Sequence, residues 1–387
     1  MSFPRKRESS SLDPRLKSPP QRDPAKGGTF GDDNIVMNIL GIETSCDETA
    51  AAVVSDGVKV LSNCIVTSLK DHQRFGGIIP EIASRRQIEF IQWVVSESLV
   101  QAQMTLKDID AIAVTRAPGL IGSLLVGLMF ARGLSRATKK PLVEIDHIKA
   151  HLYANYLVLM PDTRSSCRTL GPHGRHTRHS QLFAGHSQKL AGARSCSQER
   201  LPAIGLVVSG GHSSLFYVKD FKNFKLLGTT RDDAAGEAFD KVARILNLGY
   251  PGGPVIDRLA AGGINEEIKF PRSELSGSYD FSFSGTKTAV LYYTQKNKNK
   301  PGYSPSKVAY AFQKSVVAVL AEKSLRACRK LRVNTLLVGG GVAANSALRA
   351  SLQARAKSQG VDVFFPPMAL CLDNAAMIAG LAFHARG

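Results

Sequence analysis

Residues 38–57 read NILGIETSCDETAAAVVSDG, and residues 203–218 read AIGLVVSGGHSSLFYV. In the first stretch NILGIETS alternates toward a strand, and AAAVVSDG continues as a second strand ending in a turn. Cys46-Asp47-Glu48 between them makes the turn polar. The second stretch repeats the form: strand, Gly-rich turn, strand. Two such hairpins, each opening one half of the chain, predict a duplicated two-lobed fold, although the halves share no identity worth claiming. Working outward, helical spacing runs through IASRRQIEFIQWVVSESLVQAQ (82–103), IGSLLVGLMFARGLSRAT (121–138), EAFDKVARILNL (237–248) and SKVAYAFQKSVVAVLAEKSLRACRKL (306–331). IDAIAVTRAPG (109–119) reads as a buried strand. PLVEIDHIKAHLYANYL (141–157) reads as a strand and then a helix with Asp146 placed to cap it. NTLLVGGGVAANSALRASLQARA (334–356) is strand, glycines, helix. The alternation predicts an α/β fold with mixed sheets.

Length and composition bound the answer. The 387 residues suffice for two domains with cores of their own, and 43% hydrophobic with 21% charged residues excludes global disorder. No apolar run reaches the ~18 residues of a membrane span; Leu120 to Ala131 carries two glycines and stops at Arg132, as a buried helix would. The N-terminus shows no secretory core segment. The net charge of +18 points to a polyanionic partner such as nucleic acid, although residues 161–200 alone hold seven Lys/Arg against two Asp/Glu. Six scattered cysteines with no CxxC pair fit free thiols in a reduced compartment. The expected organisation is a disordered extension (1–36), a first lobe (37–160), a low-complexity insert (161–200) and a second lobe (201–387) whose chain end is free to return to the first. His173, His176, His179 and His186 lie in the insert, where composition explains them better than a zinc module does.

Three Gly-rich loops stand at strand ends: Val208-Ser209-Gly210-Gly211-His212, Tyr250-Pro251-Gly252-Gly253-Pro254 and Val338-Gly339-Gly340-Gly341-Val342-Ala343-Ala344-Asn345. Glycines let backbone N–H groups approach phosphate oxygens, and a helix N-terminus adds partial positive charge. None is a Walker A or a GxGxxG dinucleotide loop. His147 and His151 are four apart on a helix, so both imidazoles share one face at a spacing that can chelate a metal; a packed or capping pair reads equally well. Ile148 stands where a zinc protease needs its glutamate. Asp373, in CLDNAAMIAG, is one candidate for a third, oxygen ligand among many carboxylates. Asp47 and Glu48 on the first turn can hold a metal, orient a water, or merely be solvated. Asp240 reads either as half of an exposed helix pair with Lys241 or as an acceptor for a ribose hydroxyl. The SFSGTKT stretch (282–288) offers hydroxyls and Lys287 to a polyanion, or is a polar loop.

GIETSCDETAAAVV, GGIIPEIASR, APGLIGSLLVG, HIKAH, VSGGHSSL, DDAAGEAFDKVARILNLGYPGGP, DFSFSGTKT, GGGVAANSALR and CLDNAAMIA follow one another in one order. This set resembles the universal tRNA N6-adenosine threonylcarbamoyltransferase family, formerly called O-sialoglycoprotein endopeptidase, over residues 38–384 apart from 161–200. The resemblance implies the two-lobed fold of actin, the 70-kDa heat-shock chaperones and sugar kinases, with mixed sheets and a ligand cleft between the lobes. It implies transfer of a threonylcarbamoyl group from threonylcarbamoyl-adenylate to N6 of the adenosine beside the anticodon (position 37) in tRNAs reading ANN codons, with release of AMP. By the same resemblance His147, His151 and Asp373 hold one divalent ion per subunit, iron or in its place zinc. Val207, Val208, Ser209, Gly210 and Gly211 line the adenylate, Asp240, Gly253 and Asn345 are nucleotide contacts with Asp257 a further one, and Asp47 is the acidic residue implicated in activity.

Partners implied are tRNA, an inactive paralogue and a P-loop ATPase in a bacterial cytoplasm, or independent action in an organelle. Two departures are mild: Ala117 stands where the family has Gly, and Leu372 where it has Thr. The alternatives weighed are an ATP-dependent small-molecule kinase of the same superfold, in which the histidine pair has no work, a metalloprotease, which lacks its base, and a non-enzymatic binder in the chaperone style.

Overall fold

The computed structural model describes residues 36–160, 165–170, 176–178, 200–264, 267–272 and 277–385, the short stretches 165–170 and 176–178 by backbone alone. The expected N-terminal extension (1–36), apart from Val36, and most of the 161–200 segment, with its four histidines, lie outside the described side chains. The first sheet contains β1 (Asn38–Glu43), β2 (Glu48–Ser55), β3 (Lys59–Thr67), β4 (Ala111–Ala117) and β5 (Leu142–Asp146), in the order β5-β4-β1-β2-β3. With it go α1 (Leu69–Gln73), α2 (Pro80–Gln101), α3 (Ile121–Thr138) and α4 (His147–Tyr153). At the β3 edge β6 (Val158–Leu159) and β7 (Ser165–Leu170) add in parallel, and β8 (His176–Arg178) pairs with β7. Part of the segment read as a loop insert therefore forms strand. Its Ser/Gly/Arg composition hid it, because an edge strand needs backbone pairing more than apolar alternation.

The second sheet contains β9 (Ala203–Val208), β10 (Ser213–Val218), β11 (Phe224–Thr229), β12 (Thr335–Gly339) and β13 (Asp362–Phe364), in the order β11-β10-β9-β12-β13. Its helices are α5 (Ala235–Ile245), α6 (Gly252–Ala261), α7 (Ser284–Asn297), α8 (Pro305–Leu331) and α9 (Ser346–Lys357), and α10 (Ala375–Ala385) ends the described chain. SFSGTKT is not all loop: α7 begins within it, at Ser284, and Lys287 pairs with Asp233 at 2.6 Å. The two sheets share one plan. In each, a hairpin and a third antiparallel strand stand on one side, and two parallel strands on the other. The duplication expected from two hairpins is thus complete to five strands, although β3, β11 and β13 left no distinct mark in the sequence.

Strand alternation sorts the cores. Ile39 faces a central layer with Ala52 and Val54, while Leu40 and Ile42 face α2 and α3 in a cluster with Ile91, Val94 and Ala131. Burying each such large aliphatic side chain is worth about 1.5–3 kcal/mol. The outer face of the second sheet packs Leu206 and Leu336 against Phe239 of α5 and Phe312 of α8. Between the sheets lie α4 and α10, whose Leu152, Met377 and Ile378 join residues of both sheets in the central core. Two glycines permit this. A Cβ on Gly41 of β1 would strike the backbone of α10 at Ala375 and Ala379, and one on Gly205 of β9 would strike Leu152 of α4. The chain end, grown from the second half, thus lies on the first sheet. No helix among the described residues is long and apolar enough to cross a membrane.

Candidate active site

α4 starts where β5 ends. Asp146 caps it, its Oδ1 accepting from Lys149 N at 2.9 Å, and this fixes the first turn and so the direction of His147. One turn on, His151 stacks edge-on to His147 with ring centroids 4.6 Å apart. The loop before α10 brings in Asp373, whose Oδ1 stands 3.5 Å from His147 Nε2 and 3.2 Å from His151 Nε2. One ligand atom from each of the three lies within 4.8 Å of the others. His151 is wholly buried, and among the described residues its Nδ1 has no hydrogen-bond partner and its Nε2, near Asp373, no aligned hydrogen bond. A buried imidazole left so costs about 1–3 kcal/mol unless something occupies its lone pair. Two imidazoles and a carboxylate form a donor set suited to a first-row divalent ion, so the residues fit a metal. Electrostatics agree. Burial alone would lower the His147 imidazole, but the Asp373 and Glu43 carboxylates outweigh it and hold it up at about 9. Burial would raise Asp373, yet the charges of His147 and His151 and the His151 contact hold it well below the usual carboxylate range. The site favours positive charge, whether proton or metal. Ile148, at the place of a zinc protease's glutamate, is buried in the central core.

The first turn is dense. Glu43 and Thr44 are wholly buried, Ser45 is nearly so, and Asp47 is 7% exposed. Asp47 Oδ2 accepts from Thr67 Oγ1 at 3.3 Å, and its backbone oxygen accepts from Ser68 N and Oγ. Burial first, then the Asp373 charge, pushes the Asp47 carboxyl up. The reading of Asp47 as a solvated turn residue gives way to a buried acid within electrostatic reach of Asp373.

The second turn is open. Ser209 N donates to His212 O at 2.8 Å and His212 N to Ser209 Oγ at 3.2 Å, which shapes the loop. A Cβ at Gly210 or Gly211 would meet nothing within 4 Å, and the same holds for Gly253 at the start of α6. Val207 and Val208, expected to line a ligand, are fully buried, with side chains in the central and outer cores. They lead directly into the open loop. Asp240 Oδ1 accepts from Gly252 N at 2.7 Å, and burial raises its carboxyl. Asp257 accepts from Ser346 N at 3.0 Å and Ser346 Oγ at 2.8 Å. Asn345 caps α9 through Leu348 N and donates to Gln313 Oε1 at 2.9 Å. These three side chains brace the glycine loops.

The third glycine loop joins the two halves of the site. Gly339 is packed against His151 O, Gly340 against Val208 O, and a Cβ at Gly341 would lie 3.2 Å from Leu372 Cδ2. Arg349 of α9 clamps this loop to the Asp373 segment, donating from Nε to Ala343 O at 2.7 Å and from Nη2 to Pro366 O at 3.1 Å and Cys371 Sγ at 3.3 Å. Sequence reasoning passed over Glu43, Ser45, His212 and Arg349. A buried acid inside a strand was the one available sign, at Glu43. His212 lies close enough to the cluster that, after burial, the His147 and His151 charges lower its imidazole.

The sequence family described as tRNA N6-adenosine threonylcarbamoyltransferase matches residues 59–179 and 183–380, and so runs through part of the segment read as an insert. A Clostridium botulinum protein of that name is 48% identical over 349 residues, 90% of this chain and 92% of its own. One from Clostridium kluyveri is 46% identical over 350 residues, again 90% and 92%. One from Symbiobacterium thermophilum is 44% identical over 346 residues, 89% and 91%. Among solved structures, full-length HypF in its phosphate- and nucleotide-bound form has a TM-score of 0.53 at 14% identity, over 90% of this chain and 55% of that one. HypF of T. kodakarensis has 0.54 at 14%, over 90% and 47%. At such identity the likeness speaks for the fold alone, the two-lobed actin-like α/β architecture. Sequence identity near one half, sustained along nine-tenths of the chain, settles what the buried cluster and open loops suggested: the chain belongs to the tRNA N6-adenosine threonylcarbamoyltransferase family, and is a transferase of tRNA modification.

Proposed function

We propose that this chain moves the threonylcarbamoyl group of threonylcarbamoyl-adenylate onto N6 of adenosine 37 in tRNAs reading ANN codons. The observation that carries the reading is the adjacency of His147, His151 and Asp373 to a loop, Gly339–Gly341, that also touches the open second turn. In the reaction the N6–C bond forms, the bond from the carbonyl carbon to the phosphate oxygen breaks, and AMP leaves with that electron pair. The amine proton passes to Asp47, whose raised carboxyl suits a general base. Backbone N–H groups of Gly210 and Gly211 hold the departing phosphate, since no side chain fills the space before them, while Ser209 N–H, spent on His212 O, holds the turn in shape. Asp240, Gly253, Asp257 and Asn345 shape the nucleotide's seat. His147, His151 and Asp373 hold one divalent ion, iron by preference over zinc, which when bound supplies Lewis-acid polarisation of the carbonyl or phosphate. The target base must be unstacked to reach this depth, which suits an anticodon-loop nucleotide.

The partners we assign are tRNA, an inactive paralogue and a P-loop ATPase, in a cytoplasmic setting. An apolar stripe supports the paralogue: Ile121, Leu125 and Met129 recur every four residues on α3 and stand 85%, 53% and 48% exposed, with Ile88 of neighbouring α2 66% exposed. The domain reading, an extension, two lobes and a low-complexity segment between them, belongs to the same proposal. The test is nucleoside mass spectrometry of tRNA from cells whose own enzyme is depleted and replaced by this chain. Return of threonylcarbamoyl-adenosine, lost again with His147→Ala or Asp373→Ala, is the expected result. No return with soluble protein and partners supplied would sink the reading.

A further inference from the structure

Glu43 ends β1 with its side chain wholly buried between the sheet and α4. Ionised carboxylates are rarely left in such places without a cation, because desolvation costs several kcal/mol. Among the described residues the only basic group at ion-pair distance is His147, with Nδ1 3.0 Å from Glu43 Oε2. Both carboxylate oxygens are engaged. Thr115 Oγ1 of neighbouring β4 donates to Oε2 at 2.5 Å, and Ser45 N donates to Oε1 at 2.5 Å. The carboxylate cannot rotate without losing one of these donors. Ser45 extends the arrangement, its Oγ 3.3 Å from His147 Nδ1 and 3.4 Å from Asp373 Oδ2.

A carboxylate at Nδ1 requires the proton there. The other nitrogen, Nε2, is then the one that can exchange its proton for a metal beside Asp373 and His151, where the metal reading needs it. We infer that Glu43 is a positioning residue for the metal centre, which fixes the tautomer and ring orientation of His147, with Ser45 as its link to Asp373. The inference rests on the assignment of His147, His151 and Asp373 as ligands. It gives the Glu-Thr-Ser end of the first strand a purpose that neither the turn nor the fold supplies.

The experiment is chelator competition with Zn2+, and separately with Co2+ read by its visible bands, on the full chain. The variants are Glu43→Gln, Glu43→Asp and Thr115→Val, each checked by thermal melt. Glu43→Gln is expected to weaken metal binding about 10–100-fold, the usual effect of removing such an outer partner, and to alter the Co2+ bands. Glu43→Asp, which keeps the charge but withdraws it by one methylene, is expected to do the same. Thr115→Val removes a donor to Glu43 without touching His147, and is expected to change affinity less than about threefold while lowering the melting temperature. Wild-type affinity in Glu43→Gln, or equal losses in Glu43→Gln and Thr115→Val, overturns the inference. Should Glu43→Gln fail to fold, wild-type affinity in Glu43→Asp overturns it alone. Metal binding that survives His147→Ala overturns the ligand assignment itself, which separates that failure from this one.

Discussion

The two hairpin turns occupy equivalent places in equivalent sheets and do opposite things. The first, between β1 and β2, is packed shut. Gly119 lies against Ser45 and Gly127 against Thr44, Gln87 Nε2 donates to the backbone oxygens of Thr44, Cys46 and Glu48, and two carboxylates are buried in it. The second, between β9 and β10, ends in Gly210 and Gly211 with free space before them. One backbone plan therefore sets buried charge beside the His147, His151 and Asp373 cluster in one lobe and two glycines facing open space in the other. The difference lies in what surrounds each turn: α2 and α3 close over the first, while α5 meets the second at Gly236, which lies against Ser209 and Gly210. A duplicated fold can divide a reaction in this way, because each turn is tuned by neighbours that its own sheet does not specify.

The largest effect that would sharpen this contrast is loss of the ligands the two turns flank. His151→Ala or Asp373→Ala should abolish metal retention on gel filtration, beyond the roughly 10–100-fold that outer partners cost. Undiminished retention would break the comparison at its root. Next, Asp47→Asn should lower kcat by about 10²–10⁴-fold if the closed turn holds the base. The kcat profile should report it too. Because the Asp47 carboxyl is raised, the rate should fall on acidification at a higher pH than an ordinary carboxylate would allow.

The open turn makes a smaller and more selective prediction. Gly211→Ala should leave the melting temperature unchanged but weaken AMP binding about tenfold, or about 1.4 kcal/mol, by calorimetry. Gly236→Ala should do the reverse, since its Cβ would lie 2.6 Å from Ser209 O; overpacking of that kind costs about 1–3 kcal/mol of stability. If both variants behaved alike, openness would have no functional meaning. The smallest effect is on stability. A carboxyl whose folded pKa is raised adds stability below its unfolded pKa and loses that contribution as pH rises through the folded one. Metal-free Asp47→Asn should therefore melt slightly above wild type at neutral pH, with the gap closing on acidification.

The sequence by itself determined much of this protein. Apolar alternation around a polar and a glycine turn marked both hairpins, because a strand's period of two is local. The four-residue spacing of His147 and His151 put them on one helical face, because helix geometry is local too. Asp146 was legible as a cap for the same reason. What remained open depended on residues distant in the chain. Asp373 was one carboxylate among many until α10 returned to the first sheet and set it 3.2 Å from His151. Glu43 drew no reading of its own in the sequence, and only packing revealed His147 beside it. The glycines were indistinguishable as letters, although Gly41, Gly205 and Gly339 admit backbone or side chain while Gly210, Gly211 and Gly253 face open space. Asp257 and Asn345 read as ligand contacts from the resemblance alone, and their bonds to Ser346 and Gln313 became visible only in the fold. Only the tertiary structure decided these matters, because burial, the charge around a carboxyl and the space before a glycine are properties of what folds against a residue, and sequence spacing records only what lies beside it.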